Sequence, residues 1–249
     1  ENPVVIFSPE GGYLRSIGAG LFKKAHSVFL TPHRTILTAD TSPGYHVIRE
    51  ITMDGELVYD FGTLGQPGDS GYDLNYLKTL EKEGTPFCRP CAMIMNENGE
   101  YFAADGYGND AVHKFRADRS YEKSWGGPGQ EPGKFRLVHD IRLDDRGRLW
   151  VTDRENKRVQ IFTQDGELLA VIGGNLMRIG AVWISGSLAY IGELDGGITV
   201  VDMDFHVLAQ LGWKGSVIHA HGLTADKDGN LFVFTNRKNS NTILRLIRK

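Results

Sequence analysis

One strand–turn–strand phrase recurs along this chain, and the recurrence limits the folds open to it. It reads HSVFLTPHRTILTAD at 26–40, CAMIMNENGEYFAAD at 91–105, HDIRLDDRGRLWVTD at 139–153 and HGLTADKDGNLFVFT at 221–235. A version one residue shorter, GAVWISGSLAYIGE, occupies 180–193. Each unit is an alternating apolar run, a turn, and a second run that ends on a polar residue. Hairpin-type turns come from Asn98 and Gly99, Arg146 and Gly147, Gly186, and Asp228 and Gly229.

A third strand follows each unit (HVIREI, AVHKF, RVQIF, GITVV, TILRLI). A fourth follows in most, closing on Gly62, Gly126, Gly173 and Gly212. Helical periodicity is nearly absent, and short, evenly spaced strands of this kind are the mark of propeller blades. The interval from the first inner position to the end of the second strand is 14 residues in four units and 13 in the fifth. A β-sandwich would not hold that offset. The expected fold is all-β, an NHL-type β-propeller forming one domain over residues 1–249. Residues 63–86 break the rhythm as an inter-blade insertion, with a short helix expected over 75–83 that Gly84 ends. Such an insertion belongs at a surface, where it either rims a pocket or has no role.

Read down the innermost position, the five units carry His26, Cys91, His139, Gly180 and His221. The innermost strand of a propeller lines its central channel. Three imidazoles from alternate blades would meet on the axis as a metal site with open coordination, the pattern of catalytic zinc. Alternation closes symmetrically around six blades. The expectation is therefore six, the first incomplete, with residues 1–18 as its outer strands. Five blades, with those strands completing the last one, is the alternative.

Around the expected site, Asp40, Asp105, Tyr107, Asp153, Arg154, Glu193 and Thr235 follow or end second strands and ring the mouth. A phenol near a cation serves as general acid or base, so Tyr107 is a catalytic candidate. Arg154 is a carboxylate clamp. His219 lies two residues before His221 and faces the same side if the strand is regular, lining the substrate side. Asp40 and Asp153 read as caps of backbone N–H groups. His33, His46, His113 and His206 read as surface residues, and Cys91 as a small buried one.

Composition narrows the partners. The net charge of −3 gives no footprint for nucleic acid or anionic lipid. No run approaches the ~20 apolar residues of a membrane helix. Two cysteines make no disulfide scaffold, so a cytoplasmic location is expected. An exported mature protein is the alternative, since the sequence starts at Glu1 rather than Met.

The segments DGYGN, FRLVHD and TDRENKRVQIF, within a stretch running from PFCRPCAMIM to FTQDGELL, closely resemble the NHL-repeat propeller of peptidyl-α-hydroxyglycine α-amidating lyase, in particular its bacterial relatives. The resemblance covers residues from about 3 to 235. It implies one zinc per chain on His26, His139 and His221, a catalytic tyrosine at Tyr107 and a substrate-side arginine at Arg154. It also implies cleavage of the N–C bond of an α-hydroxyglycine to an amide and glyoxylate. Departures are visible. Gly222 stands where the family's calcium site has aspartate, which argues against calcium. His219 replaces a methionine near the substrate. Cys88 matches half of a disulfide whose other position is Gly108, and the second pair falls on Trp150 and Ile161. A further family arginine corresponds to a segment before Glu1.

The expected activity is a zinc-dependent C–N lyase acting on a small-molecule or peptide-derived α-hydroxy amide. A metal-dependent hydrolase at the same site and a non-catalytic binding platform are the alternatives. A calcium-dependent lactonase-type propeller would need carboxylates where this chain has histidines. Oligomeric state is not fixed by the sequence.

Overall fold

Residues 3–75, 80–237 and 240–248 are described in the computed structural model. All regular structure among them is β, and no helix is long and apolar enough to cross a membrane. The centre of the helix expected over 75–83 lies outside the described residues, and its described flanks are irregular. The chain divides into two compact units, Glu1–Pro128 and Gly129–Lys249.

In the first unit, β1 (Val4–Phe7) and β2 (Tyr13–Ile17) form a two-stranded sheet of their own. Blade 1 is β3 (Phe29–Leu30), β4 (Thr35–Asp40), β5 (Val47–Thr52) and β6 (Leu57–Gly62); blade 2 is β7 (Ala92–Met95), β8 (Tyr101–Asp105), β9 (Ala111–Phe115) and β10 (Tyr121–Gly126). The second unit holds blade 3, of β11 (Val138–Leu143), β12 (Leu149–Asp153), β13 (Arg158–Phe162) and β14 (Leu168–Ile172). Blade 4 is β15 (Ile179–Ser185), β16 (Leu188–Glu193), β17 (Ile198–Asp202) and β18 (Val207–Leu211). Blade 5 is three-stranded: β19 (Ala220–Ala225), β20 (Leu231–Arg237) and β21 (Ser240–Leu246).

The described strands thus make an all-β propeller of five blades, and the expectation of six is corrected. A two-stranded ribbon lacks the inner pair of a blade, and among the described strands β1 and β2 pair only with each other. Alternating histidines fix a register within blades; they do not count blades.

Burial runs outward along each blade. Strands β8, β9 and β12 are buried along their whole length. The outermost β14 and β18 are mostly exposed, β18 along its whole length. In the first unit Leu37, Ile48 and Phe61 of blade 1 pack with Met93, Ala103 and Phe115 of blade 2. In the second, Trp150 and Ile161 of blade 3 pack with Val182 and Ile191 of blade 4.

Local polar chemistry sets the turns. Asp144 Oδ1 accepts from the N–H groups of Arg146 and Arg148, and Asp226 Oδ1 from those of Asp228 and Asn230. A second device recurs at the end of the second strand in blades 1 to 4, where a carboxylate reaches back to the segment leading into its own blade. Asp40 accepts from Lys23 N–H at 2.6 Å, Asp105 from Cys88 at 2.8 Å, Asp153 from Arg136 at 2.7 Å and Glu193 from Met177 at 2.7 Å. The reading of Asp40 and Asp153 as caps matches this, although the bond spans a whole hairpin rather than a turn.

Candidate functional site

In the second unit the innermost strands are irregular where the register residue falls. The pairing of β11 with β12 shifts between Val138 and Ile141, of β15 with β16 between Ile179 and Ala181, and of β19 with β20 between Ala220 and Gly222. His139, Gly180 and His221 sit inside these irregularities. A bulge re-aims the side chain it carries and frees backbone groups from the ladder. Beside His139, the N–H of Asp140 turns to Thr152 Oγ1 at 2.7 Å.

The outcome is a close imidazole pair. His139 is 2% exposed, and its ring centroid lies 4.9 Å from that of His221, with the planes at 89°. Gly180 permits this approach: a Cβ there would lie 2.2 Å from Ala220 O and 2.8 Å from His221 Cα. The Nδ1 of His139 meets the Gly180 carbonyl at 2.6 Å. A carbonyl only accepts, so Nδ1 carries the proton and the lone pair sits on Nε2.

His26, in the first unit, repeats the arrangement one blade pair earlier. Its backbone N–H donates to Ala39 O, and its Nδ1 donates to Cys91 O at 2.9 Å. Both acceptors, Cys91 and Gly180, are the innermost residue of the following blade. His26 Nε2 faces the Tyr107 hydroxyl at 3.5 Å, with the rings edge to face at 5.5 Å.

Tyr107 follows β8 in a tightly packed loop. A Cβ at Gly108 would lie 2.5 Å from Cys88 Sγ, so the DGYG turn needs glycine there for Cys88 to pack. Neither cysteine is in a disulfide, both are buried, and burial pushes the Cys88 thiol up to about 12. Arg89 lies over the Tyr107 ring, 5.4 Å from guanidinium to centroid. Sequence reasoning passed over this arginine; its place between the two cysteines, entering an innermost strand, was the available signal.

Arg154 is 7% exposed, and its Nε donates to Glu155 at 2.9 Å. His219 donates from Nδ1 to Leu194 O at 2.7 Å. It lies just before β19, and the irregularity between Ala220 and Gly222 removes the simple alternation that would put it on the face of His221.

Two surface assignments are corrected. His46 is 5% exposed and His113 is fully buried, because the third strands that they enter or occupy are covered on both faces. His113 bonds Asp105 at 3.1 Å and Ser124 at 2.6 Å. His33 and His206 are exposed as expected.

The NHL repeat family matches residues 135–162, which span the first three strands of blade 3. NHL repeat-containing protein 3 of Homo sapiens is 29% identical over 174 residues, covering 67% of this chain and 47% of the relative. The probable peptidyl-alpha-hydroxyglycine alpha-amidating lyase of Caenorhabditis elegans is 28% identical over 167 residues, covering 66% of this chain and 43% of that protein. The chain therefore spans about half the length of these curated relatives. Among solved structures, a streptogramin B lyase superposes with a TM-score of 0.66 at 15% identity, covering 98% of this chain and 76% of that one, a likeness of fold. The chain is an NHL-repeat β-propeller that resembles the peptidyl-α-hydroxyglycine α-amidating lyases.

Proposed function

We propose that this protein is a zinc-dependent lyase of α-hydroxy amides, with His26, His139 and His221 as its metal ligands. The observation that carries the reading is the matched commitment of two ring nitrogens. In both His26 and His139, Nδ1 is fixed on the carbonyl of the next blade's innermost residue. Metal-binding imidazoles are held in one tautomer in this way. Three neutral nitrogen donors suit zinc and leave a coordination position open. Bound there, zinc supplies Lewis acidity toward a substrate oxygen.

The chain's own residues do the remaining work. Tyr107 Oη takes the proton of the substrate's hydroxyl as the C–N bond breaks. The C–O bond becomes a carbonyl, the bonding pair leaves with the amide nitrogen, and that nitrogen takes up the proton. The products are a primary amide and glyoxylate, or a similar carbonyl compound. Arg154, oriented by Glu155, holds the substrate carboxylate. The amidating-lyase name carried by the nematode relative supports this chemistry.

Purified protein is expected to hold about one zinc per chain, lost in His139→Ala. It is expected to release glyoxylate from α-hydroxyglycine derivatives. Tyr107→Phe should keep its zinc while the rate falls by roughly 10²–10⁴. A metal-free wild type would end the reading. Bound zinc without glyoxylate release would move a hydrolase or a binding platform ahead.

A further inference from the structure

The inter-blade insertion, in the first unit, is zipped together at its base. The Gly68 N–H donates to Phe87 O at 2.9 Å, the Glu81 N–H to Ser70 O at 2.9 Å, and the Thr85 N–H to Asp69 Oδ1 at 3.0 Å. Gly84 lets the two sides touch, since a Cβ there would lie 2.6 Å from Ser70 N. Ser70 is fully buried as a result, although Asp69 and Gly71 on either side of it are exposed. Its hydroxyl donates to Gly108 O at 2.5 Å, the carbonyl of the residue that follows Tyr107.

Two further contacts join the insertion to the same loop. Asn109 Oδ1 accepts from the Gly84 N–H at 2.7 Å, and its Nδ2 donates to Gly84 O at 3.1 Å and to Asp105 Oδ2 at 2.9 Å. On the ring side, the Tyr72 hydroxyl accepts from Arg89, whose guanidinium lies over Tyr107. Loops that carry functional side chains usually run over the surface and are mobile. This one is held differently: Gly106, Gly108, Asn109 and Asp110 are buried, and Tyr107 between them is half-buried. Part of the clamp belongs to the blade plan. In blade 3, Asn156 Nδ2 bonds Gly129 O and Asp153 just as Asn109 Nδ2 bonds Gly84 O and Asp105. Ser70 and Tyr72, by contrast, come from the insertion.

We propose that Ser70 is a positioning residue for Tyr107, through which the insertion fixes where the phenol stands beside His26. The inference rests on the lyase reading for the role of the phenol, and on the hydrogen bonds above for its placement. Proton transfer needs heavy atoms within about 2.6–3.2 Å, and a misplacement of about 1 Å costs about 10²-fold in rate. The Ser70 bond holds the peptide next to Tyr107, so its loss frees the backbone that aims the ring. Ser70 itself is buried and acts through the loop alone.

The test is a mutant cycle in the full, zinc-loaded chain. Ser70→Ala is expected to lower kcat for glyoxylate release about 10- to 100-fold, with KM and zinc content unchanged. In a Tyr107→Phe background the same substitution should change the rate by less than about twofold, because the group it acts through is gone. An unchanged kcat, an equal loss in both backgrounds, or a loss shared by KM and zinc content would each overturn the proposal. A second readout needs no activity: the backbone order parameters of Tyr107 and Gly108 by NMR, expected at about 0.85 in the wild type and below about 0.6 in Ser70→Ala. Order parameters that do not change would overturn it as well. A wild type that binds zinc and releases no glyoxylate ends the lyase reading alone, and the order parameters then decide the positioning role. If Ser70→Ala does not fold, Tyr72→Phe replaces it in both readouts, with the same outcomes for and against.

Discussion

Substituting alanine at Gly180 would push a methyl group into the backbone that carries His221. The obstacle is main chain, not the end of a flexible side chain, so β15 and β19 must separate to admit it. Overpacking of this kind costs about 1–3 kcal/mol. Gly180→Ala is therefore expected to unfold at lower urea and, under the proposed zinc site, to bind less zinc, although it changes none of the three histidines. Unchanged stability together with unchanged zinc content would show that the contact is soft. The sequence made the register histidines visible, because repeats align them at one offset. It marked Gly180 only as a gap in that alignment. That the gap serves the neighbouring histidine depends on a contact between blades, and no local pattern carries that information. His46 and His113 were misread for a related reason. Their places beside a turn or on a third strand suggested an exposed position, but the third strands of blades 1 and 2 are buried along nearly their whole length.

At the scale of the strand and hairpin, the recurrent carboxylate does what a ladder bond cannot. It ties the segment entering a blade to the far end of that blade's first hairpin. Asp153 is the most heavily used example. It accepts from the Arg136 N–H and from the side chains of Asn156, Arg158 and Gln160. Arg158, the charged member of that group, is itself only 12% exposed at its side chain. Asp153→Ala would leave the largely buried Arg158 charge without its carboxylate and several donors unmet, at a cost of about 3–5 kcal/mol. Urea unfolding measures this directly, and a loss well below that range would mean that water replaces the carboxylate. The polar end of each second strand was legible from the sequence, as was a capping role. The bulges in the innermost strands were not, because a one-residue slip leaves the apolar alternation on either side intact.

Over the whole molecule, hairpin aspartates in different blades share one electrostatic habit. Hydrogen bonds hold the carboxyls of Asp118 in blade 2, Asp202 in blade 4 and Asp226 in blade 5 below their ordinary value of 3.8. For Asp118 and Asp226 the leading donor is the side chain of Ser120 and of Asn230, and for Asp202 it is the backbone N–H of His206. A carboxyl depressed in the folded state adds stability above its unfolded value, and that stability is lost as pH falls through the folded one. The urea midpoint is therefore expected to drop as pH falls from the ordinary carboxylate range downward, in several blades at once. A midpoint that stays flat there would contradict the shared role of these turns. The count of blades, by contrast, was beyond the sequence, since alternation of histidines is compatible with any ring that contains the alternating units. One peripheral feature has its effect outside the folded chain. β18 is an edge strand whose five residues, Val207–Leu211, are all exposed and include no charge and no proline. Such an edge offers another chain an open row of backbone donors and acceptors beside an apolar surface. At high protein concentration, aggregation would begin there, strand against strand, with the blades themselves still intact.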